Sequence, residues 1–376
     1  MAKTAFATGH ALTQKLWSAA FFQYARFGTY FSKFIGKNER LPKGVDISTS
    51  PDAVIQLRGD FSKDKGDRIT FPMRAPLTSQ GVQGDNDLEG NEEALTFYDY
   101  SMTLFKTRHA VRSEGELSDR RVVFEAKMQA QPALEEWLAA KIDGYTIAAL
   151  SGVASADANI AASVPTTNRK WTGGQTAAGV ITHYAGNTDA EMLQANIAAT
   201  LFGPAVISAV KRKAKRTEPI VRPIMINGEA FYVMFIHPLQ AKAFKATDEF
   251  KDAAQLAATR GPTNPIFTGA LGIYDNVILH EVERIHVRTG AGGATAAELF
   301  DAADALPNGT TAARALFCGA QACVHGYGKL PYSKTKEFDY GDEWGIALGV
   351  IMAVGKPVFN SEDYGVIVVD TCVQAD

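Results

Sequence analysis

One segment constrains this chain more than any other. Residues 84–112, GDNDLEGNEEALTFYDYSMTLFKTRHAVR, place an acidic, turn-rich loop ahead of a strand-like run, and a long helix begins just past it. A hairpin that feeds a single long helix suits a part that embraces neighbours better than one that surrounds a substrate. Loop 78–94 carries Asp85, Asp87, Glu89, Glu92 and Glu93 with no Lys or Arg. Charge pairing inside it is therefore impossible, and it is expected to stay solvated or to meet a basic partner. Segments 53–72, with VIQL and RITFP, and 95–111 flank it with the β-branched and aromatic residues of strands, so a projecting hairpin is expected. Asp85, Asp87, Glu89 and Gly90 match the first half of an EF-hand loop. The twelfth position, however, is Thr96 where calcium needs a bidentate Glu, and the flanks read as strands.

The helix is read from residues 117–150, which set Phe124, Met128, Leu134, Leu138, Ile142, Tyr145 and Ala149 along one stripe. At ~1.5 Å per residue such a helix is about 50 Å long. Pro132 lacks an N–H and clashes with the preceding turn, so a bend is expected there unless two shorter helices meet. Nearer the start, 12–31 puts Trp17, Ala20, Phe21, Tyr24, Phe27 and Phe31 at helical spacing. A face that aromatic needs a cover, either the chain's own core or an adjacent subunit on which it docks as an arm.

Residues 154–188 are rich in Ala, Gly, Thr and Asn and read as a surface excursion. Thr188 and Glu191 then form a capping-box pattern that opens a helix with Leu193, Ile197 and Leu201; Gly203-Pro204 interrupts it, and the pattern resumes through Val206 and Val210. It ends in the densest charge run of the chain, Lys211, Arg212, Lys213, Ala214, Lys215 and Arg216. Cations at a helix C-terminus are favoured by its dipole, which makes a solvated helix end the plainer reading. The sharper ones are contact with DNA phosphates or with the acidic loop of another subunit. Beyond it, strands alternate with a helix at 239–258, an α+β organisation with a mostly β C-terminal half.

Chemistry is scarce. In His280-Glu281 followed by His286 the second histidine lies six positions after the first where a helical metal pair needs four, and no GxSxG elbow or phosphate-binding GxxxxGK[ST] loop occurs. No catalytic residue, cofactor or metal ligand is expected. Cys318, Cys323 and Cys372 form no CxxC pair, which fits buried thiols in a reducing compartment rather than a disulfide scaffold or zinc cluster. The 376 residues, 46% hydrophobic and 21% charged, suggest two or three domain-sized units. A net charge of −3 lacks the basic excess of a dedicated nucleic-acid binder, so any DNA contact must be local. No stretch reaches the roughly 18 apolar residues of a membrane span, and no signal-peptide apolar region opens the chain, so a soluble protein of the cytosol, with no membrane partner, is expected.

The order of these parts resembles the major capsid proteins of tailed bacteriophages with the Hong Kong 97-like fold, in particular the subgroup of schitovirus-type podophages and many prophages. The resemblance is carried by LTQKLWSAAFFQYARFGTYFSKFIG, by GDRITFPMRAPLTSQGVQGDNDLEGNEEALTFYDYSMTLFKTRHAVR, by the helix over 119–138, and by FIHPLQAKAFK with GALGIYDNVILHE. It spans most of the chain but not 154–188 or 290–311.

The resemblance implies an α+β capsid fold divided into an N-terminal arm (1–50), an extended hairpin loop that overlaps a neighbour (51–112), a peripheral domain with the spine helix (113–187), an axial domain (188–330) and terminal strands shared between the last two (331–376). It implies self-assembly through pentamers and hexamers into an icosahedral shell around double-stranded DNA in the host bacterial cytoplasm, with portal, scaffolding and decoration proteins as partners. Trp17, Phe21, Tyr24, Phe97, Tyr98 and Tyr100 are the expected interface anchors, because large aromatics dominate such contacts; the acidic loop would set register. Lys63 and Lys65 lie near the hairpin, but no Lys, Asn and Glu set matches the crosslinking relatives, so no autocatalytic crosslink is expected. An encapsulin-type compartment shares the fold; a hydrolase or a soluble DNA-binding protein are the rival classes.

Overall fold

The computed structural model describes residues 29–36, 38–39, 48–49, 52–58, 66–75, 77, 79, 81–84, 87, 89–115, 126–152, 167–176, 179–184, 201–226, 228–251, 271–285, 287–289 and 311–373. A 3-10 turn at Tyr30–Phe34 leads to β1 (Asn38–Glu39), β2 (Ser48–Thr49) and β3 (Ile55–Arg58). The two segments read as extended give β4 (Arg68–Arg74), β5 (Phe97–Thr103) and β6 (Phe105–Arg112). β4 and β5 pair antiparallel from Arg68↔Thr103 to Arg74↔Phe97 and join no other strand among the described residues. At Leu104 the chain leaves this ladder and enters a larger sheet as β6.

Helix α1 (Ala126–Ser151) follows. Its 26 residues span ~39 Å at 1.5 Å each, less than the length expected, because residues 116–125 lie outside those described. Pro132 sits inside one continuous helix rather than dividing it; it falls in the second turn, where the missing N–H removes one bond near the helix start. Leu134, Leu138, Ile142, Tyr145 and Ala149 are all buried, as the stripe requires.

The reading of 154–188 as a surface excursion is overturned over Lys170–Gln175, whereas 154–166 and 185–188 lie outside the described residues. β7 (Lys170–Gln175) lies deep in a sheet, with Trp171 3% exposed and Thr172 1%, and pairs with β8 (Ile181–Tyr184). KWTGGQ carries no apolar alternation, yet small residues suit a strand covered on both faces, where neighbours approach closely. Gly203-Pro204 begins a helix: Gly203 is the N-cap and Pro204 the first residue of α2 (Pro204–Arg216), where its missing N–H costs nothing; of the helix expected ahead of it, 188–200 lie outside the described residues and Leu201 sits in a β-bridge. β9 (Ile224–Ile226) and β10 (Glu229–Ile236) precede α3 (Pro238–Lys245). The helix expected over 239–258 ends its first segment at Lys245. His237 Nδ1 accepts from the Leu239 N–H (3.1 Å) and Gln240 Oε1 from the His237 N–H (3.2 Å), which closes a capping box. β11 (Gly272–Tyr274) and β12 (Val277–Glu281) turn through Asp275-Asn276 at φ 48° and 58°, the paired left-handed residues of a tight hairpin; β13 (Val287–Thr289) follows.

The last third is the long-stranded part: β14 (Thr311–Cys318), β15 (Cys323–Phe338), β16 (Glu343–Gly355), β17 (Val358–Phe359), β18 (Glu362–Asp363) and β19 (Val366–Val373). Two large sheets result among the described residues, beside the two-stranded β4-β5 and β17-β18 pairs. One runs β1-β2-β3-β15-β16-β6; the other runs β11-β12-β10-β14-β19-β7-β8, with β13 on β14 and β9 on β10. α1 covers one face of the first, packing Leu134, Leu138, Ile142 and Tyr145 on Ile346, Leu348, Val350 and Met352. α2 and α3 cover the second through Val206, Val210 and Phe244. A third cluster, with Ile55, Ile147, Phe235, Leu316 and Val368, bridges the two sheets, so burial is continuous across the molecule.

Charge is buried at the same junction. Arg314 grips Asp370 through two bonds of 2.8 Å and gives a third to the Ser151 carbonyl at 3.0 Å, where α1 ends. Lys356 and Asp363, both 0% exposed, pair at 2.9 Å. Asp363 also accepts the N–H groups of Asn168 (3.1 Å) and Arg169 (3.2 Å), so the carboxylate is held from several sides.

Candidate assembly surfaces

The hairpin is anchored at its base and bare beyond it. Tyr98, Tyr100 and Met102 alternate on the covered side of β5. Met102, 4% exposed, packs with Val324 and Ala353, while the Tyr100 ring stacks on Phe71 at 6.5 Å and meets Phe359 edge-on at 6.2 Å. Burial drives the Tyr100 phenol pKa up, out of any physiological range. Of the expected anchors, Tyr100 thus packs on its own chain, Tyr98 is half-buried, and Phe97 stands in solvent at 63% exposure with Leu77 (61%) and Leu95 (53%).

The acidic loop solves its charge problem in a way its sequence did not disclose. Glu93 accepts the Ser79 N–H and Glu92 the Gly90 N–H, each at 2.8 Å, and the Asn91 side chain donates to the Asp87 carbonyl at 2.9 Å. Carboxylates organise the loop through backbone amides rather than through cations. Asp87, Glu89 and Glu92 remain exposed.

The basic helix end divides in two. Lys211 reaches the β11–β12 turn, 2.6 Å from both the carboxylate and the carbonyl of Asp275, and Lys213 donates to the Lys170 carbonyl. Burial, then the Arg169 guanidinium, lowers the Lys213 pKa. Arg212, Lys215 and Arg216 stay exposed, so two of the five cations tie α2 to its own fold and three are available to a partner.

One residue that sequence reasoning passed over governs the entry of the N-terminal segment. Asp143 on α1 accepts the N–H groups of Tyr30 (2.9 Å) and Phe31 (3.4 Å), at a cleft of about 640 Å³ that Lys33, Glu281 and Arg284 also line. Burial raises the Asp143 pKa against the opposing pull of these two amides and of Arg284. A carboxylate within the apolar run KIDGYTIAAL was the available signal. Phe31 itself packs edge-on against Phe235 at 5.3 Å. His280 lies in the same core, 5.0 Å from the Phe34 ring, its pKa lowered to about 4 by burial and by Lys33. Trp17, Phe21, Tyr24, Lys63, Lys65, Asp85, Thr188, Glu191 and His286 lie outside the described residues.

Comparison with known proteins covers nearly the whole chain. A family model described as phage capsid protein matches residues 5–375. The major capsid protein of Pseudomonas phage KPP25 is 29% identical over 367 residues, covering 94% of this chain and 93% of that one. The solved capsid of Ralstonia phage GP4 superposes with a TM-score of 0.69 at 27% identity, covering 92% of both chains. The capsid of cyanophage Pam1 gives the same TM-score of 0.69 and the same 92% coverages at 22% identity, a likeness of fold.

Proposed function

The chain belongs to the phage capsid protein family, and from that premise we propose how its surfaces divide the labour of building a shell. It is a major capsid protein of a tailed bacteriophage with the Hong Kong 97-like fold, a structural component of the virion that assembles in many copies of itself. The hairpin of β4 and β5 reaches over a neighbouring copy, residues 1–50 act as an arm, α1 is the spine of the peripheral domain, and the nine-stranded sheet belongs mainly to the axial domain. Rings of five and six subunits close into an icosahedral shell around double-stranded DNA in the host cytoplasm, with portal, scaffolding and decoration proteins as partners. Heterologous contacts that close on themselves are what such rings require.

The observation that carries this division is the bare outer half of the hairpin. Leu77, Leu95 and Phe97, all more than half exposed, stand on a two-stranded ladder that is docked only at its base. A two-stranded ribbon is marginal in water, and exposed apolar groups along it mark a surface that another chain covers. Interface anchors are assigned accordingly to Phe97 and Tyr98 on the ribbon and to Trp17, Phe21 and Tyr24 on the arm; Arg212, Lys215 and Arg216 are the cations of the basic run left for DNA phosphates.

Negative-stain electron microscopy of the concentrated protein is the direct test. Closed uniform shells, or rings of five and six, are the expected result; a persistent monomer in the presence of scaffold and crowding agent would defeat the proposal. Nuclease-protected DNA in particles made during infection separates a virion shell from a protein compartment of the same fold. SDS gels free of boiling-resistant ladders are expected, since no crosslinking set is assigned.

A further inference from the structure

The base of the hairpin is built around a cavity of about 120 Å³, open to one side, between β3, the β4–β5 ladder, the start of β15 and the β17–β18 corner. One wall is a continuous row of rings. Phe71 stacks on Tyr100 at 6.5 Å, Tyr100 meets Phe359 edge-on at 6.2 Å, and Phe359 meets Tyr364 edge-on at 5.6 Å. Arg58 stands at the Phe71 end of this row, its guanidinium carbon 5.4 Å from the centre of that ring. Its Nε is buried with no hydrogen-bond partner among the described residues. The side chain as a whole is partly exposed, so its other N–H groups can be reached, and no carboxylate lines the cavity. Gln56, two residues before Arg58 on β3 and on the same face, is 4% exposed; its carbonyl accepts from the Gln321 side chain at 3.1 Å, which leaves its amide nitrogen as a spare donor.

We propose that this cavity is a binding site for a small aryl carboxylate, with the ring against Phe71, Tyr100 and Phe359 and the carboxylate on Arg58 and the Gln56 amide. Charge selects the head group. A guanidinium fork without a protein counter-ion matches a carboxylate through paired N–H bonds, and it repels a cation. The walls select the body, since ring faces and edges favour a second aromatic group and offer nothing to a bare inorganic anion. Size sets the limit: apolar cavities of about 150 Å³ take a benzene ring, so a site on this scale admits one ring and excludes a nucleotide. Occupancy has a mechanical consequence. β4 and β5 join no other strand among the described residues, so the side chains around this cavity hold the hairpin to the body. A ligand that touches Phe71 and Tyr100 on one side and Arg58 and Phe359 on the other fixes the hairpin in place. None of this depends on where the hairpin meets another copy, because the whole site lies within one subunit.

The test titrates full-length, dissociated subunits with benzoate, followed by calorimetry, with benzyl alcohol and inorganic phosphate as controls. Benzoate should bind saturably at one site per chain, and phosphate should not compete. Arg58→Met, in a variant whose melting matches the parent, should weaken benzoate about tenfold or more and leave benzyl alcohol unchanged. Arg58→Lys keeps the charge and loses the fork, so it should fall between the two. Hydrogen exchange along Arg68–Arg74 and Phe97–Thr103 should slow on adding benzoate to the parent. Absence of saturable binding, benzoate bound equally by parent and Arg58→Met, or phosphate binding as well as benzoate would each overturn the proposal. Exchange that slows elsewhere but not in the hairpin would remove its fixing by the ligand. Binding shown by free subunits and lost in assembled shells would give the site to a side chain of a neighbouring copy and overturn the small-molecule assignment. Failure to form shells at all would defeat the capsid reading and leave the benzoate titration as it stands.

Discussion

Acidification should weaken this subunit through one buried imidazole. His325, on β15 under α1, is 1% exposed. Its Nε2 lies 3.0 Å from Thr146 Oγ1, whose own proton goes to the Ile142 carbonyl at 2.8 Å. Nε2 therefore carries the hydrogen, and Nδ1 is the basic atom, buried with no hydrogen-bond partner among the described residues. Protonating it would bury an unpaired cation, and burial alone lowers the pKa from 6.5 to about 4. Because the folded pKa is the lower one, the unfolded chain binds the extra proton between the two values. Stability is full above the unfolded pKa and is lost as pH falls toward the folded one. The whole difference amounts to about 3 kcal/mol, of which about 2 kcal/mol is gone at a pH of about 5.

Urea unfolding of dissociated subunits measures this across the acid range, comparing the parent with His325→Met. The exposed carboxylates titrate alike in both, so they cancel in the difference. The Thr146 hydroxyl, which keeps its bond to the Ile142 carbonyl but loses the imidazole, adds an offset in the variant that does not depend on pH. The parent should lose about 2 kcal/mol more than the variant between pH values of about 7.5 and 5. Parallel curves would refute the buried neutral imidazole.

Other expectations follow from the same geometry. Arg314→Met strands Asp370 in the core and should cost about 3–5 kcal/mol in urea unfolding, with much of it recovered when Asp370→Leu is added; equal losses for the single and double variants would mean that the pair does not act as a unit. Phe97→Ser should leave subunit stability within about 0.5 kcal/mol of the parent while suppressing assembly followed by light scattering, and unchanged assembly would remove Phe97 from the interface. Cys318, Cys323 and Cys372 are buried, and burial pushes the Cys323 thiol up to about 12, so an aromatic disulfide reagent should find them silent in the native subunit and reactive in urea. Rapid native modification would contradict that burial.

The hairpin and spine were legible because each is a local pattern. A run free of cations between two strand-like segments announces a loop, and the spacing of Leu134, Leu138, Ile142 and Tyr145 announces one face of a helix. β7 was not legible: KWTGGQ carries no period, and what makes it a strand is its parallel pairing with Val368–Asp370, far along the chain. The role of Lys211 was hidden for the same reason, since its partner Asp275 is distant in sequence. The cationic face of the six-stranded sheet, on the side away from α1, was hidden differently. Its charges come from β6 and β15, two segments on either side of β16, and neither shows a charge run to match Lys211–Arg216. Only the register shared with β16 gathers Arg108 and Lys334 onto one face.

The pairing of β7 with β19 also has a bearing on synthesis. Val368 finds its register partner Lys170 roughly 200 residues earlier in the chain, and at ribosomal rates that interval lasts about 10–40 s. During it the first-made strand of the nine-stranded sheet waits without the neighbour that buries it, although the hairpin and its exposed Leu77, Leu95 and Phe97 have already emerged. A polysome crowded with such nascent chains holds adhesive ribbons beside unfinished cores. A subunit that must be whole before it can join others therefore depends on the speed with which translation passes from residue 170 to residue 373.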